Sequence, residues 1–220
     1  MKRFTTLALL ASVALSAPGF SAPAQAPAAS PVPVPAGSYT IDKAHTSLSF
    51  QVNHLGFSHY TARFGSVDAQ LQFDPTHPET SRVTATINPL SIELPTPPAG
   101  FRDTLLGKEW LNAVAYPQIT FRSTKVEKTG ANSARITGEL SLHGMTQPIV
   151  LEATYNGGYA GHPLDPHARI GFSAHGSFKR SAFGIAYGIP APGTTMGVGD
   201  DVTVAIETEF NGPPLKTAGK

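Results

Sequence analysis

The feature that most constrains this chain is a two-residue rhythm of apolar and polar side chains. Leu48, Phe50 and Val52 share one face, while Ser47, Ser49, Gln51 and Asn53 share the other. Val67, Ala69, Leu71 and Phe73 alternate with Asp68, Gln70 and Gln72. The same rule holds for Val83, Ala85 and Ile87, for Ile119 and Phe121, and for Ile136, Leu140 and Leu142. It returns in Leu151, Ala153 and Tyr155, in Ile170, Phe172 and Ala174, and in Val202, Val204, Ile206 and Phe210. Successive side chains of an extended strand point to opposite faces, so about eight amphipathic strands are implied. Asp74-Pro75, Thr129 to Asn132, His143-Gly144 and Asn156-Gly157-Gly158 supply chain reversals between them. Sequential hairpins make the sheet antiparallel, and so many strands with one apolar face must close into a barrel or pair as a sandwich.

One segment breaks the rhythm. Phe101, Leu105 and Leu106 fall at helical spacing after Pro97 and Pro98, which predicts a helix over Pro97–Leu111, ended near Gly107 and lying across one barrel mouth. The inward face of the strands mixes large residues (Phe50, Phe73, Phe121, Phe172) with small ones (Ala69, Ala85, Ala153, Ala174). The small residues either leave room for an elongated apolar ligand or interdigitate in a solid core; alternation fixes the face and not the void.

The chain begins with a charged Lys2-Arg3, an apolar run from Leu7 to Leu15 and then small residues, the pattern of a secretory signal too short to span a bilayer. Cleavage is expected after Ala22-Pro23-Ala24, so residues 1–24 are read as signal peptide. Residues 25–36 form a stiff Pro/Ala-rich tether, residues 37–210 the folded domain, and residues 211–220 a flexible tail. No other stretch is long and apolar enough to cross a membrane. The product is expected in the periplasm.

Composition removes several kinds of chemistry. There is no Cys, so disulfides, thiolate metal sites and thiol nucleophiles are excluded. A formal charge of +1 gives no electrostatic case for nucleic acid. The 8 His include no close-spaced ligand pair, and no metal site is expected. No Gly-x-Ser-x-Gly elbow occurs, and no pair of carboxylates can be argued onto a shared substrate, so no catalytic residue is assigned. Arg102 and Arg180 fit an interstrand salt bridge or solvated rim, or contact with the polar head of a lipid at the barrel mouth.

Several segments, in order, resemble one family. They are Tyr39-Thr40-Ile41-Asp42 with His45-Thr46, Leu48 and Phe50; Arg63-Phe64-Gly65; and Tyr116-Pro117 with Ile119-Thr120-Phe121 and Ser123. Gly138, Leu140 and Leu142-His143-Gly144-Met145-Thr146 follow, then Arg180-Ser181 with Phe183-Gly184-Ile185, and Val198-Gly199-Asp200 with Val202. Together they resemble the YceI-like polyisoprenoid-binding proteins, which are secreted and lipocalin-like. The resemblance implies an all-β fold, an antiparallel up-and-down eight-stranded barrel with a short helix near one end. It implies an apolar tunnel that binds a long-chain isoprenoid or quinone-like lipid, with no catalysis and no cofactor besides that ligand. The expected tunnel wall is Phe50, Val52, Phe57, Phe64, Leu71, Phe73, Ile87, Phe121, Leu140, Leu151, Phe172, Phe183, Val204 and Ile206, with Asp42, His45, Arg102 and Arg180 as head-group candidates. Many members carry Arg-Asp-x-His-Leu in the helical segment; here Leu105 replaces the His of that motif, so no polar contact is expected from that position, and Trp110 is expected to pack the barrel end. The competing readings are a metal-dependent or hydrolytic enzyme on the same barrel, or a stress-response interaction protein with a solid core. A homodimer is left open.

Overall fold

A computed structural model describes residues 34–161 and 164–214. The expected signal peptide, most of the tether and residues 215–220 lie outside the described residues. The strands are β1 (Gly37–His54), β2 (Ser58–Phe64), β3 (Val67–Phe73), β4 (Arg82–Ile87), β5 (Ile92–Glu93), β6 (Ile119–Lys128), β7 (Ser133–Leu142), β8 (Met145–Tyr159), β9 (His167–Lys179) and β10 (Val198–Pro214). All neighbours are antiparallel, and β1 pairs with β10 to close the sheet.

The barrel has eight staves because two are broken strands. β1 pairs through its second half with β2 and through its first residues with β3. β2 pairs in turn with β5, and β3 with β4. Thus β2–β3 is one stave and β4–β5 another. Closure removes the exposed edges that an open sheet would carry. The two-residue turn His143-Gly144 joins β7 to β8, with φ of 53° and 77°. Both residues sit in the left-handed region that the twist-compatible tight hairpin turn demands, which Gly adopts freely.

Face parity explains β1. Ile41 and Leu48 both line the interior although one is odd and the other even in number. A bulge between Asp42 and Thr46 makes the switch. Such an insertion leaves residues unpaired and bends the strand. Asp42 holds the bulge: its Oδ1 accepts from the Ala44 amide at 3.0 Å, and its backbone carbonyl accepts from Thr46 Oγ1 at 2.7 Å.

The helix is shorter than its spacing predicts. α1 covers Phe101–Leu106. Pro97 and Pro98 lack amide donors and fall before it, and Gly107 ends it, so the remainder to Leu111 runs as irregular turns. The expected flexible tail is also corrected. Asn211 pairs with both Thr40 and Arg169, and Pro214 reaches His167, so β10 continues to Pro214.

Candidate functional site

The inward faces do not meet at the barrel axis. They enclose a cavity of about 630 Å³ that runs from Ile41, Leu71 and Phe210 at one end to Pro98, Phe101, Leu105 and Trp110 at the other. That volume falls within the range of sites for small organic ligands. The wall is aliphatic and aromatic apart from Thr46, His54, Tyr60, Trp110, Arg180 and Thr208, and it contains no carboxylate. Register explains the width. Ala69 lies opposite Ala85 on β3 and β4, and Ala153 lies opposite Ala174 on β8 and β9. The two pairs sit on opposite sides of the barrel circumference, so small side chains coincide where large ones would close the axis. The four alanines thus accompany a hollow interior.

One end is sealed. Tyr39 and Ile170 are fully buried there, with Phe210 close to it. Phe73 meets Tyr39 edge-on at 6.0 Å and Phe172 at 5.9 Å, and stacks on Tyr155 at 6.1 Å. Such edge-to-face pairs add stability beyond their burial. The Tyr39 hydroxyl donates to the Pro35 carbonyl at 2.6 Å, which ties the last tether residues to the barrel. Burial, with Tyr155 close by, pushes that hydroxyl up to about 12. The ring of Tyr39 lies where a Cβ on Gly212 would stand, so only glycine fits beneath it.

Outside this seal lies an ionic cluster. Arg169 Nη1 donates to Asp42 Oδ2 at 2.6 Å and to Glu209 Oε2 at 2.7 Å, and its Nε reaches Asp165 at 3.3 Å. His45 Nδ1 is 3.0 Å from Asp42 Oδ2. The hydrogen bonds from His45 and Arg169 hold the Asp42 carboxyl well below the usual carboxylate range. Asp42, His45 and Glu209 converge as a metal site would, but the Arg169 guanidinium supplies the cation between the two carboxylates.

The other end is open. His54 and Pro98 line the cavity and are exposed to solvent, which places the mouth beside α1 and the β1–β2 turn. Arg180 organises this end. It is only 3% exposed, its guanidinium carbon lies 5.0 Å from the centre of the Trp110 ring, and it donates to four backbone carbonyls. Those acceptors are Gly199 at 2.9 Å, Ile185 at 3.0 Å, Tyr187 at 2.9 Å and Val198 at 2.8 Å. One side chain thus pins the long loop between Gly184 and β10 across the barrel end. Burial lowers the Arg180 pKa against the opposing pull of Asp200. Asp200 itself is committed to Ser181, whose amide and hydroxyl it accepts at 2.9 and 2.8 Å.

The wall contains most of the expected residues, from Phe50 and Val52 to Val204 and Ile206. Three placements differ. Phe57 follows Gly56 in the β1–β2 turn, beyond the paired residues, and is 81% exposed. Phe73 ends β3 and belongs to the aromatic seal. Phe183 sits in a short helical turn after β9, fully buried behind the wall against Phe178 at 5.3 Å. Of the head-group candidates, Arg180 faces the cavity; Asp42, His45 and Arg102 do not. Asp42 and His45 serve the bulge and the ionic cluster. Arg102 is exposed and donates to the Leu90 carbonyl, which fastens α1 to the turn before β5. Tyr60, Ile92, Phe101, Leu105, Trp110 and Phe178 line the cavity beyond the expected set. The alternation of Tyr60, Ala62 and Phe64 along β2 is the signal that carries Tyr60.

A hollow eight-stranded antiparallel barrel around an apolar cavity defines a class: a closed barrel with room inside for a small apolar ligand. The chain belongs to the YceI-like family, whose domain model matches residues 39–210. It is 38% identical to Protein YceI of Escherichia coli over 154 residues, 68% of this chain and 77% of the relative. It is similar to the solved YCEI protein of Campylobacter jejuni, at TM-score 0.61 and 33% identity, covering 79% of this chain and 96% of that one. A polyisoprenoid binding domain from Saccharophagus degradans shares the fold at TM-score 0.58 and 14% identity, covering 80% and 98%.

Proposed function

We propose that the protein binds and carries an isoprenoid or quinone-like lipid in the periplasm, without catalysis. The observation that carries this reading is the apolar cavity inside the barrel, lined by solvent-exposed residues beside α1. A chain drawn into it from water gains roughly 0.8 kcal/mol for each buried CH₂, so several isoprene units bind tightly with few polar contacts. The sealed end receives the tail and the mouth keeps the head, which lets one site shield chains of similar girth. The name of the Saccharophagus domain, polyisoprenoid binding, supports the choice of an isoprenoid. The charged and apolar N-terminal run supports export. Among the described residues the wall holds no carboxylate, and its Thr46, Thr208 and Tyr60 hydroxyls make no hydrogen bond to a histidine or carboxylate, which supports binding without chemistry.

Native mass spectrometry of gently purified protein, followed by organic extraction, tests the proposal. A mass above that of the mature chain, with an extractable lipid, is expected. An unliganded mass that persists after incubation with polyprenols and prenylated quinones would overturn it.

A further inference from the structure

The two ends of the barrel differ in what their loops show to water. Among the described residues nine large apolar side chains are exposed, and all but Val150 and Leu164 belong to segments at the open end. Four of them, each more than half exposed, stand beside the mouth: Phe57, Leu90, Tyr187 and Met196. Phe57 lies in the β1–β2 turn and Met196 in the loop before β10. The Leu55 amide donates to the Gly197 carbonyl at 2.9 Å, so that loop rests on that turn. Tyr187 meets the cavity-lining Trp110 edge-on at 5.8 Å. The Leu90 carbonyl accepts from Arg102 of α1, the helix whose Phe101 and Leu105 line the cavity.

Charge is distributed the other way. Residues 94–101, 110–118 and 184–197, which make the loops at the open end, contain no Asp, Glu, Lys or Arg, and neither does the β1–β2 turn. On and just after α1, Arg102 and Lys108 are matched by Asp103 and Glu109. At the sealed end the turn between β3 and β4 carries Asp74 and Glu79, and the approach to β9 carries Asp165 and Arg169. Clustered exposed apolar side chains mark interaction sites. Charged groups are costly to bring to a hydrocarbon boundary, so an apolar face with uncharged loops suits one.

Resting on the lipid-carrying reading above, we infer that the open end docks on a lipid bilayer, with Phe57, Leu90, Tyr187 and Met196 entering the interfacial layer around the cavity mouth. The rim fits a bilayer better than a protein. Its apolar side chains come from four separate segments around an opening, and a protein seated on them would stop the mouth. A bilayer instead makes the rim continuous with the apolar interior. A chain then passes from one to the other without exposing its methylenes to water, which is unfavourable for each of them. Tyrosine is also a residue type enriched at membrane–water interfaces. Because the charges at this end cancel, docking rests on apolar burial and not on attraction to anionic lipid.

The test is flotation of the purified protein with vesicles of phosphatidylcholine alone, and of phosphatidylethanolamine with phosphatidylglycerol. The wild type is expected to float with both, and to a similar extent at about 0.05 M and about 0.5 M salt. The double variant Phe57→Ser, Met196→Ser should partition onto either vesicle about tenfold more weakly. It should melt as the wild type does, because both side chains are exposed. Leu164→Ser at the sealed end and Val150→Ser on the barrel wall remove equally exposed kinds of side chain and should float as the wild type does. A wild type that does not float, or an equal loss in Leu164→Ser, would overturn the docking face. So would binding that needs the anionic lipid and vanishes in salt. A dimer that forms without vesicles and is lost in the double variant would assign the rim to a second copy of the chain and overturn the bilayer. A wild type that holds an extractable lipid yet does not float sinks the docking face and leaves the lipid-carrying reading. One that floats through the rim but takes up no polyprenol or prenylated quinone sinks the lipid-carrying reading and leaves the docking face.

Discussion

Two arginines at opposite ends of β9 are bound in opposite ways. Arg169 is 24% exposed, lies outside the sealed end and is surrounded by the carboxylates of Asp42, Glu209 and Asp165. Arg180 is 3% exposed, lies at the open end and is surrounded by backbone carbonyls and the face of Trp110. The first cation is neutralised by carboxylates on β1 and β10, so it fastens strands. The second is solvated by backbone dipoles alone. Burying a cation without a counter-charge is costly unless its hydrogen bonds are met, and here the loop between Gly184 and Val198 exists in its observed path because it meets them. The sealed end is held by ion pairs and aromatic packing; the open end is held by one side chain that also lines the cavity.

Arg180→Gln gives the largest effect expected from this contrast. Carbonyls of Ile185, Tyr187, Val198 and Gly199 lose their donor together, which costs about 3–4 kcal/mol of unfolding free energy. Chemical denaturation measures it, and hydrogen exchange should show lost protection confined to the loop before β10. A loss spread evenly to the sealed end would break the idea that the two ends are fastened separately. Next comes Gly212→Val at the sealed end, where the added carbons collide with the Tyr39 ring. Overpacking there should cost about 2–3 kcal/mol and displace the aromatic seal, visible as altered near-ultraviolet circular dichroism. Wild-type stability in that variant would show that β10 does not pack beyond Phe210.

Asp42→Asn sharpens the comparison through pH. The native Asp42 carboxyl titrates below its unfolded value, so its contribution is complete above about pH 5 and is lost as pH falls below about 4 towards the native value. At pH 7 the variant should be about 1–2 kcal/mol less stable, since a partly exposed carboxylate loses its bonds from His45 and Arg169. The gap should narrow as the pH falls from about 5 to 2, because the wild type surrenders the same charge. The Arg180→Gln deficit rests mainly on carbonyls that do not titrate, with Asp200 as the one titrating neighbour that pulls on Arg180, and should change less over that range than the Asp42→Asn gap. A constant Asp42→Asn gap would mean that the bulge, and not the charge, is what Asp42 supports.

These residues also show how far the sequence can be read. Alternation delivered most of the strands and their inward faces, because a half-buried strand admits few other patterns; it left barrel and sandwich open, and the barrel came with the family resemblance. It placed Phe50, Phe121 and Val204 correctly for the same reason. It carried Phe73 past the cavity into the aromatic seal, and the expected wall also misplaced Phe57 and Phe183, since a turn residue is apolar or polar without reference to any face. It also missed the function of Asp42 and His45, whose roles depend on Arg169 and Glu209, far away along the chain. Tyr60 was legible as an inward residue of β2, but its unpaired hydroxyl was not. Whether a donor has a partner is a property of three-dimensional register alone. The same limit applied to the alanines, where sequence left hollow and solid interiors equally open.

That last ambiguity yields the smallest effect on stability and a test by sign. Ala85 and Ala174 face the cavity and remain partly accessible from within. In a solid core, Ala→Leu at either position would cost about 1–3 kcal/mol through overpacking. In a hollow barrel the added carbons enter empty space beside apolar walls and gain up to about 0.8 kcal/mol for each group buried. Ala85→Leu and Ala174→Leu are therefore expected to leave stability unchanged or raise it by about 1 kcal/mol. Neither should disturb Arg169 or Arg180, which lie at the two ends. Both should reduce uptake of a long prenyl chain, with the double variant lowest, because the new side chains occupy the girth that the paired alanines provide. Thermal melts and chain uptake measured on the same samples decide the matter. Destabilisation with unchanged uptake would mean that the alanines pack the interior, and that the space for a ligand lies elsewhere.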